Sequence, residues 1–359
     1  MSDRAWLWCW NGSDWSFWFK CNVMSKQDDP IGLDRAIAAE TVLSHSDPES
    51  GQLLIRGYSL ESLVQENSFE ESVITLWQDV LSAELSMASL GQARMQVWQQ
   101  FRPLQDHLKG MRPVERQRFL LSSLSETSTD PVLILAAAGV SAVLAMQENI
   151  SNCEPDPSRS HADDLLMMIR GAESDQQSIA ALETYLIAMI DHGISASTLA
   201  ARVAASTRAG YVAAAIAALS VLQGPLHGGA PGLVLDMLDE IGSGEGIVPW
   251  LTAALDRGDR LMGFGSRAYR VPDPRAALFK ASLWKLPEAC RARLPLAEQV
   301  ETTAIRLMAE RKAGHVIQTN VEYYAALLLD AIGVPRQGFT PCLLRHERPV
   351  GWLMPANSN

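Results

Sequence analysis

Gly224-Pro225-Leu226-His227-Gly228-Gly229-Ala230 sets a histidine between glycines at the point where a long run of small residues ends. Upstream, Ala196 to Leu222 (ASTLAARVAASTRAGYVAAAIAALSVL) is rich in Ala and Leu and interrupted only by Gly210. That composition predicts one helix with thin sides that neighbours can approach closely. Downstream, Pro231 suits the first turn of a new helix, Leu233 to Ile241 supplies an apolar face, and Gly242 can end it. His227 therefore lies at a helix-to-helix joint, beside an N-terminus whose N–H groups and dipole favour an anion or a developing oxyanion. The same motif also reads as a tight turn holding a hydrogen-bonded histidine.

A chain of 359 residues, 47% hydrophobic and 20% charged, can bury a full core, and its length predicts two lobes or domains. The net charge of −11, with no block of Lys and Arg, argues against nucleic acid and acidic membrane surfaces as partners. An anionic ligand would need arginines gathered locally. Cys9, Cys21, Cys153, Cys290 and Cys342 show no CxxC or paired spacing. Neither a disulfide framework nor a metal site is expected, and a reducing cytoplasm fits. The longest apolar runs, Val132 to Met146 and Ala209 to Leu222, fall short of the roughly 18 residues that span a bilayer and read as buried helices.

Residues 1–29 differ from the rest. Trp6, Trp8, Trp10, Trp15 and Trp18 mix with Asn11, Gly12 and Ser13 in no clear period, and the run Ala5 to Trp10 is too short for an export signal. Met24-Ser25-Lys26-Gln27 reads as an ordinary protein start. The expectation is an extension that is disordered or not translated, with a tryptophan anchor for a partner or membrane as the alternative. From Pro30 the chain is orderly. Gly32-Leu33-Asp34 opens a short segment, Gly51 to Tyr58 reads as a small strand or turn, and Ser59 can cap a helix. Phe69 to Leu81, Asp163 to Arg170 and Ser178 to Ile190 have helical period, whereas Asn152 to His161 reads as a surface loop. No alternating pattern of useful length is present, so the fold class is all-α.

Two later stretches put polar residues where helices meet glycines. Leu261-Met262-Gly263-Phe264-Gly265-Ser266, continuing to Tyr269-Arg270 and Asp273-Pro274-Arg275, offers a backbone nest and two arginines suited to phosphate or carboxylate. Asn320 can cap a last helix that ends at Gly333 before Pro335. Glu322 then falls in its first turn, where the dipole favours a carboxylate even on a plain surface.

These pieces, in this order, resemble the citrate synthase family. The resemblance covers residues 32 to 352: Gly32 to Leu63, Asp191-His192 with Ser195-Ala196-Ser197, Gly224 to Ala230, Leu261 to Arg275, Asn320 to Tyr324, and Phe339-Thr340-Pro341 with Gly351-Trp352. It implies an all-helical dimer with a large domain (30–228 and 334–359) and a smaller one (229–333) that closes over substrate. It further implies a cytoplasmic acyltransferase of the tricarboxylic acid cycle, joining acetyl-CoA or propionyl-CoA to oxaloacetate and then hydrolysing the thioester. Acyl-CoA would be a co-substrate, with no permanently bound cofactor and no metal.

Such chemistry needs a carboxylate to take a proton from the thioester methyl, a donor for the enolate-like oxygen, and a second donor for the ketone. In the family pattern these are an aspartate, the glycine-turn histidine and a second histidine; the matching positions here hold Glu322, His227 and Ser266. Glutamate keeps the base but adds a methylene. A serine hydroxyl still donates but cannot carry charge or return a proton near neutral pH. His192 matches the oxaloacetate-binding histidine and Arg275 the carboxylate-binding arginine, while Gly263, Gly265 and Arg270 match the coenzyme A side. A further substrate arginine matches Arg348 counting back from Gly351, whereas counting forward puts Glu347 there. Pro231 replaces the family's asparagine, and the family's C-terminal segment, whose arginine completes the partner subunit's site, has no counterpart after Trp352.

These departures keep three expectations open. One is a condensing enzyme, with shifted substrate preference. Another is a regulatory homologue that binds oxaloacetate, citrate or CoA without turnover. The third is a heteromer in which a full-length citrate synthase-like chain supplies the missing arginine. The enzymatic readings lead.

Overall fold

The computed structural model describes residues 8–11, 14–18, 41–79, 84–128, 130–147, 154–224, 227, 230–266, 269–311 and 317–339. Gly32 to Asp34, the segment beyond Phe339 and Met24 lie outside them. Two compact units divide the chain between Glu40 and Thr41. In the first, β1 (Trp8–Asn11) and β2 (Asp14–Trp18) pair antiparallel with Trp8 opposite Trp18 and Cys9 opposite Phe17. The Trp-rich stretch, read as having no period, thus carries a backbone hairpin.

In the second unit, β3 (Ser44–Ser46), β4 (Leu53–Ile55) and β5 (Tyr58–Ser59) make a small antiparallel sheet, as the Gly51 to Tyr58 reading expected. The rest is helical, and capping side chains set most starts. Ser59 accepts from the Ser62 N–H to open α1 (Leu60–Glu66), and a Ser68/Glu71 capping box opens α2 (Phe69–Trp77). The α2 helix stops short of the expected Leu81, because Gln78 takes ψ 132° and Asp79 φ 63°, where a right-handed helix cannot continue. There follow α3 (Met87–Phe101), α4 (Pro113–Ser122), α5 (Pro131–Met146), α6 (His161–Arg170), α7 (Gln176–Ala188), α8 (Ala196–Ser206), α9 (Gly210–Leu222), α10 (Ala230–Ile241), α11 (Ile247–Asp256), α12 (Pro274–Lys285), α13 (Leu294–Arg311) and α14 (Val321–Ala331).

The single helix expected over Ala196 to Leu222 is two, α8 and α9, packed against each other. Arg208 at φ 59° and Gly210 at φ 87° turn the chain between them, so the one glycine in the run is a break and not a spacer. At the centre lies α5, buried from Ile134 through Met146 and packed by α3, α4, α6 and α9. Asp130 caps it and Pro131 occupies its first turn. The second focus is α7 with α12 and α14, and α14 is buried from Tyr323 to Leu329. Among the described residues no helix is long and apolar enough to cross a membrane. None of those residues form a group of three or more His, Cys, Asp or Glu able to hold a metal.

The described part of the loop before α6 keeps Glu154 and Ser158 exposed, as expected of a surface loop, while its carbonyls at Asp156 and Arg159 face a buried arginine. Arg94 of α3 is fully buried and donates through Nε to Asp164 at 2.5 Å and through Nη2 to the Arg159 carbonyl at 2.9 Å. Its Nη1 lies 3.2 Å from Nδ1 of His161. A guanidinium only donates, so that nitrogen accepts and His161 is neutral. Burial pushes the Asp164 carboxyl up, and Arg94 only partly offsets this.

A second loop positions the site. Phe264 bridges to Thr319, the Gly265 N–H donates to the Gln318 carbonyl at 2.8 Å, and the Asn320 N–H donates to the Gly263 carbonyl at 2.9 Å. Asn320 Nδ2 adds a bond to the Gly265 carbonyl at 3.0 Å, and its Oδ1 caps α14 by accepting from the Glu322 N–H at 3.0 Å. Gly263 and Gly265 sit at φ 83° and 80°.

Two predictions follow from this packing. Arg94→Leu leaves a buried carboxylate unpaired and is expected to cost about 3–5 kcal/mol in urea unfolding, and adding Asp164→Leu is expected to recover much of it; equal costs would mean that packing, not charge, matters there. Gly263→Ala and Gly265→Ala share a left-handed backbone penalty of about 1–2 kcal/mol. A Cβ on Gly263 would also lie 2.6 Å from Cδ2 of Tyr323, whereas one on Gly265 meets nothing closer than 4.0 Å. Gly263→Ala should therefore lower the unfolding midpoint well beyond Gly265→Ala.

Candidate active site

The turn after α7 is built around Asp191, which is buried. Its carboxylate accepts from the Ser44 hydroxyl of β3 and from the Gly193 N–H, and Ser44 Oγ accepts from the same N–H at 2.7 Å. This braced turn presents His192, whose Nε2 is 2.8 Å from the Tyr269 hydroxyl. Three residues further on, Ser195 caps α8. The α8 helix brings in the glycine-turn histidine, because Ser197 Oγ lies 2.9 Å from Nε2 of His227. His227 itself donates its N–H to the Gly224 carbonyl at 2.9 Å, three residues before α10 begins. Pro225, Leu226, Gly228 and Gly229 lie outside the described residues.

Tyr269 also reaches the other side of the site, donating its N–H to Ser266 Oγ at 3.2 Å. Ser266 is exposed and follows Gly265 directly. Through Asn320 the same loop is fixed to the first turn of α14, where Glu322 is half-buried. The backbone nest read at Gly263 and Gly265 is thus partly used within the protein: the Gly265 N–H already serves Gln318, so it holds α14 in place.

Arg275 is buried and paired with Asp273, through Nε to Oδ1 at 3.0 Å and Nη2 to Oδ2 at 2.7 Å. The substrate-facing arginine of the sequence reading therefore already holds a resident carboxylate. Burial would raise the Asp273 carboxyl, but Arg275, by its charge and its hydrogen bonds, holds it below the usual carboxylate range. Burial pushes the Tyr269 phenol well above its ordinary value, against the pull of Arg275. Arg270 faces outward and pairs with Glu49 at 2.5 Å, with side chains 77% and 67% exposed. Such a pair contributes about 0–1 kcal/mol, so an incoming phosphate can displace it. Arg348 lies outside the described residues.

Hydrogen bonds thus join His227 to α8, His192 to Ser266 through Tyr269, and the loop of Ser266 to Glu322 through Asn320. Sequence reasoning missed the roles of Ser197, Tyr269 and Asp273. All three stood in stretches already singled out, but nothing local told which side chain each would meet. Chemically the set offers a carboxylate, two imidazoles, a hydroxyl donor and a fixed guanidinium, which suits proton removal beside a carbonyl with hydrogen-bond support for developing oxyanions.

Residues 32–356 match the family described as citrate synthase, C-terminal domain. The citrate synthase of Haloferax volcanii is 30% identical over 90% of this chain and 89% of its own length. The crystal structure of citrate synthase from Thermotoga maritima superposes with a TM-score of 0.76 at 26% identity, covering 90% of this chain and 89% of that one. Citrate synthase from Thermoplasma acidophilum, in a ternary complex with carboxymethyl coenzyme A and oxaloacetate, gives 0.78 at 25% identity, covering 89% of each chain. An all-α architecture of this kind, matched over nearly the whole chain, makes the protein a member of the citrate synthase family.

Proposed function

We propose that the chain condenses an acyl-CoA, acetyl-CoA or propionyl-CoA, with oxaloacetate and releases CoA. The observation that carries this reading is the Asn320 junction, which ties the loop of Ser266 to the helix start that bears Glu322. Glu322 takes a proton from the carbon next to the thioester carbonyl. His227, with Nε2 engaged by Ser197, donates through its other nitrogen to the thioester oxygen. The resulting enolate carbon bonds to the ketone carbon of oxaloacetate, whose C=O π bond opens to an alkoxide that the Ser266 hydroxyl stabilises by donation and that water protonates. Water then cleaves the C–S bond, and the thiol of CoA leaves. His192, Arg275 and Arg348 hold the carboxylates of oxaloacetate, and Arg270 exchanges Glu49 for a CoA phosphate beside Gly263 and Gly265. Residues 229–333 act as the smaller domain in a homodimer or in a heteromer with a full-length relative.

Ser266 supports a second reading, a ligand-binding homologue without turnover, because a hydroxyl cannot return a proton as a histidine can. Thiol release from acetyl-CoA and propionyl-CoA separates the two. The expected result is release that requires oxaloacetate, yields the condensed acid by mass, and falls at least about a hundredfold in Glu322→Gln. No release, with oxaloacetate still raising the melting temperature, would replace the first reading by the second. Ser266→His is expected to raise kcat, since one oxyanion donor is worth about 2.7–4 kcal/mol; an unchanged kcat in a folded variant would show that the pocket no longer accepts a histidine there.

A further inference from the structure

The pair formed by Tyr269 and His192 carries an inference that rests on the reading above, in which His192 holds a carboxylate of oxaloacetate. Tyr269 is 5% exposed, and its ring meets the imidazole edge to face with centroids 5.4 Å apart. Its hydroxyl oxygen lies 2.8 Å from Nε2 of His192. A buried O–H needs an acceptor, and Nε2 is the partner the described residues give it. The phenol also keeps its proton, since burial makes it a weaker acid than usual. A donating phenol requires a lone pair on Nε2, which puts the ring proton on Nδ1.

We infer that Tyr269 is a positioning residue: its hydroxyl holds His192 as the Nδ1–H tautomer, the form that donates to a substrate carboxylate from that nitrogen. Its backbone N–H meanwhile holds Ser266 Oγ at 3.2 Å. One residue therefore orients both the group that receives the carboxylate and the group that faces the ketone. The arrangement costs the site a mobile phenol but removes the alternative tautomer, which would present a bare lone pair to an anion.

Tyr269→Phe removes the hydroxyl and keeps the ring contact. In the full chain, calorimetry with oxaloacetate is expected to show about five- to tenfold weaker binding for Tyr269→Phe, and KM for oxaloacetate should rise more than kcat falls. In a His192→Asn background the same change should have no further effect. Imidazole ¹⁵N shifts of the unliganded wild type should report His192 as Nδ1–H, with a mixture of tautomers in Tyr269→Phe. Penalties that multiply in the double variant, or a wild-type His192 in the Nε2–H form, overturn the inference even where the enzyme turns over. Non-additive binding without thiol release would instead remove the condensing reading and leave the role of Tyr269 standing. Absence of any oxaloacetate binding by the wild type overturns both.

Discussion

Asn320 is the residue through which the two halves of the candidate site are held at a fixed distance. With one side chain and one backbone N–H it caps α14, receives the loop at Gly263 and grips it again at Gly265. The residue before it is anchored as firmly. Thr319 Oγ1 donates to Glu301 of α13 at 2.6 Å, Tyr324 of α14 donates to the same carboxylate at 2.5 Å, and Lys280 of α12 pairs with it at 3.1 Å. Burial would weaken the positive charge of Lys280, yet Glu301 and then Glu298 more than reverse this, so the ammonium is held. A cap alone is worth about 0.5–2 kcal/mol. Here it sits on a charge cluster shared by three helices, which is why a surface-facing loop can position a serine.

Much of the fold can be read from local rules. The caps at Ser59 and Asn320, the stop at Gly242 and the largely apolar α5 each depend on neighbours within a few residues, and each was legible. The break between α8 and α9 was not. An Ala-rich run hides a glycine that turns the chain, because helical propensity averages over it whereas the φ of one residue decides it. The inward contacts of the loop before α6 were hidden for another reason. Its carbonyls go inward to satisfy Arg94, which lies more than sixty positions earlier in the chain, and no pattern near residue 156 announces that demand.

The same distinction holds within the site. His192, His227, Ser266, Arg275 and Glu322 stood out by their place beside glycines and helix starts. Tyr269 and Ser197 did not, since a tyrosine and a serine are ordinary residues until a histidine from another element lands beside them. Arg275 was legible as a cation but not as a paired one. A guanidinium with a buried carboxylate on two of its nitrogens adds little net charge to the site. It works as a rigid donor, and attraction for a doubly charged oxo acid must then come from further cations, of which Arg348 is the one the sequence points to.

The two departures from the family pattern are best weighed together. Glu322 is one methylene longer than the aspartate it replaces, and Ser266 is much shorter than a histidine. Both sit on the same Asn320 junction, one on the loop and one on the helix start, so the backbone distance between them is set by hydrogen bonds that neither side chain makes alone. A longer carboxylate closes part of the gap that a shorter donor opens. On the proposed reading the substrate then lies nearer the loop and farther from the helix. A displacement of about 1 Å is enough to change a rate by of order a hundredfold. The hydroxyl reaches the ketone only if the loop stays where Tyr269 and Asn320 hold it, so the hydrogen bonds to Gly263, Gly265 and Ser266 do the work that the length of a histidine would otherwise do.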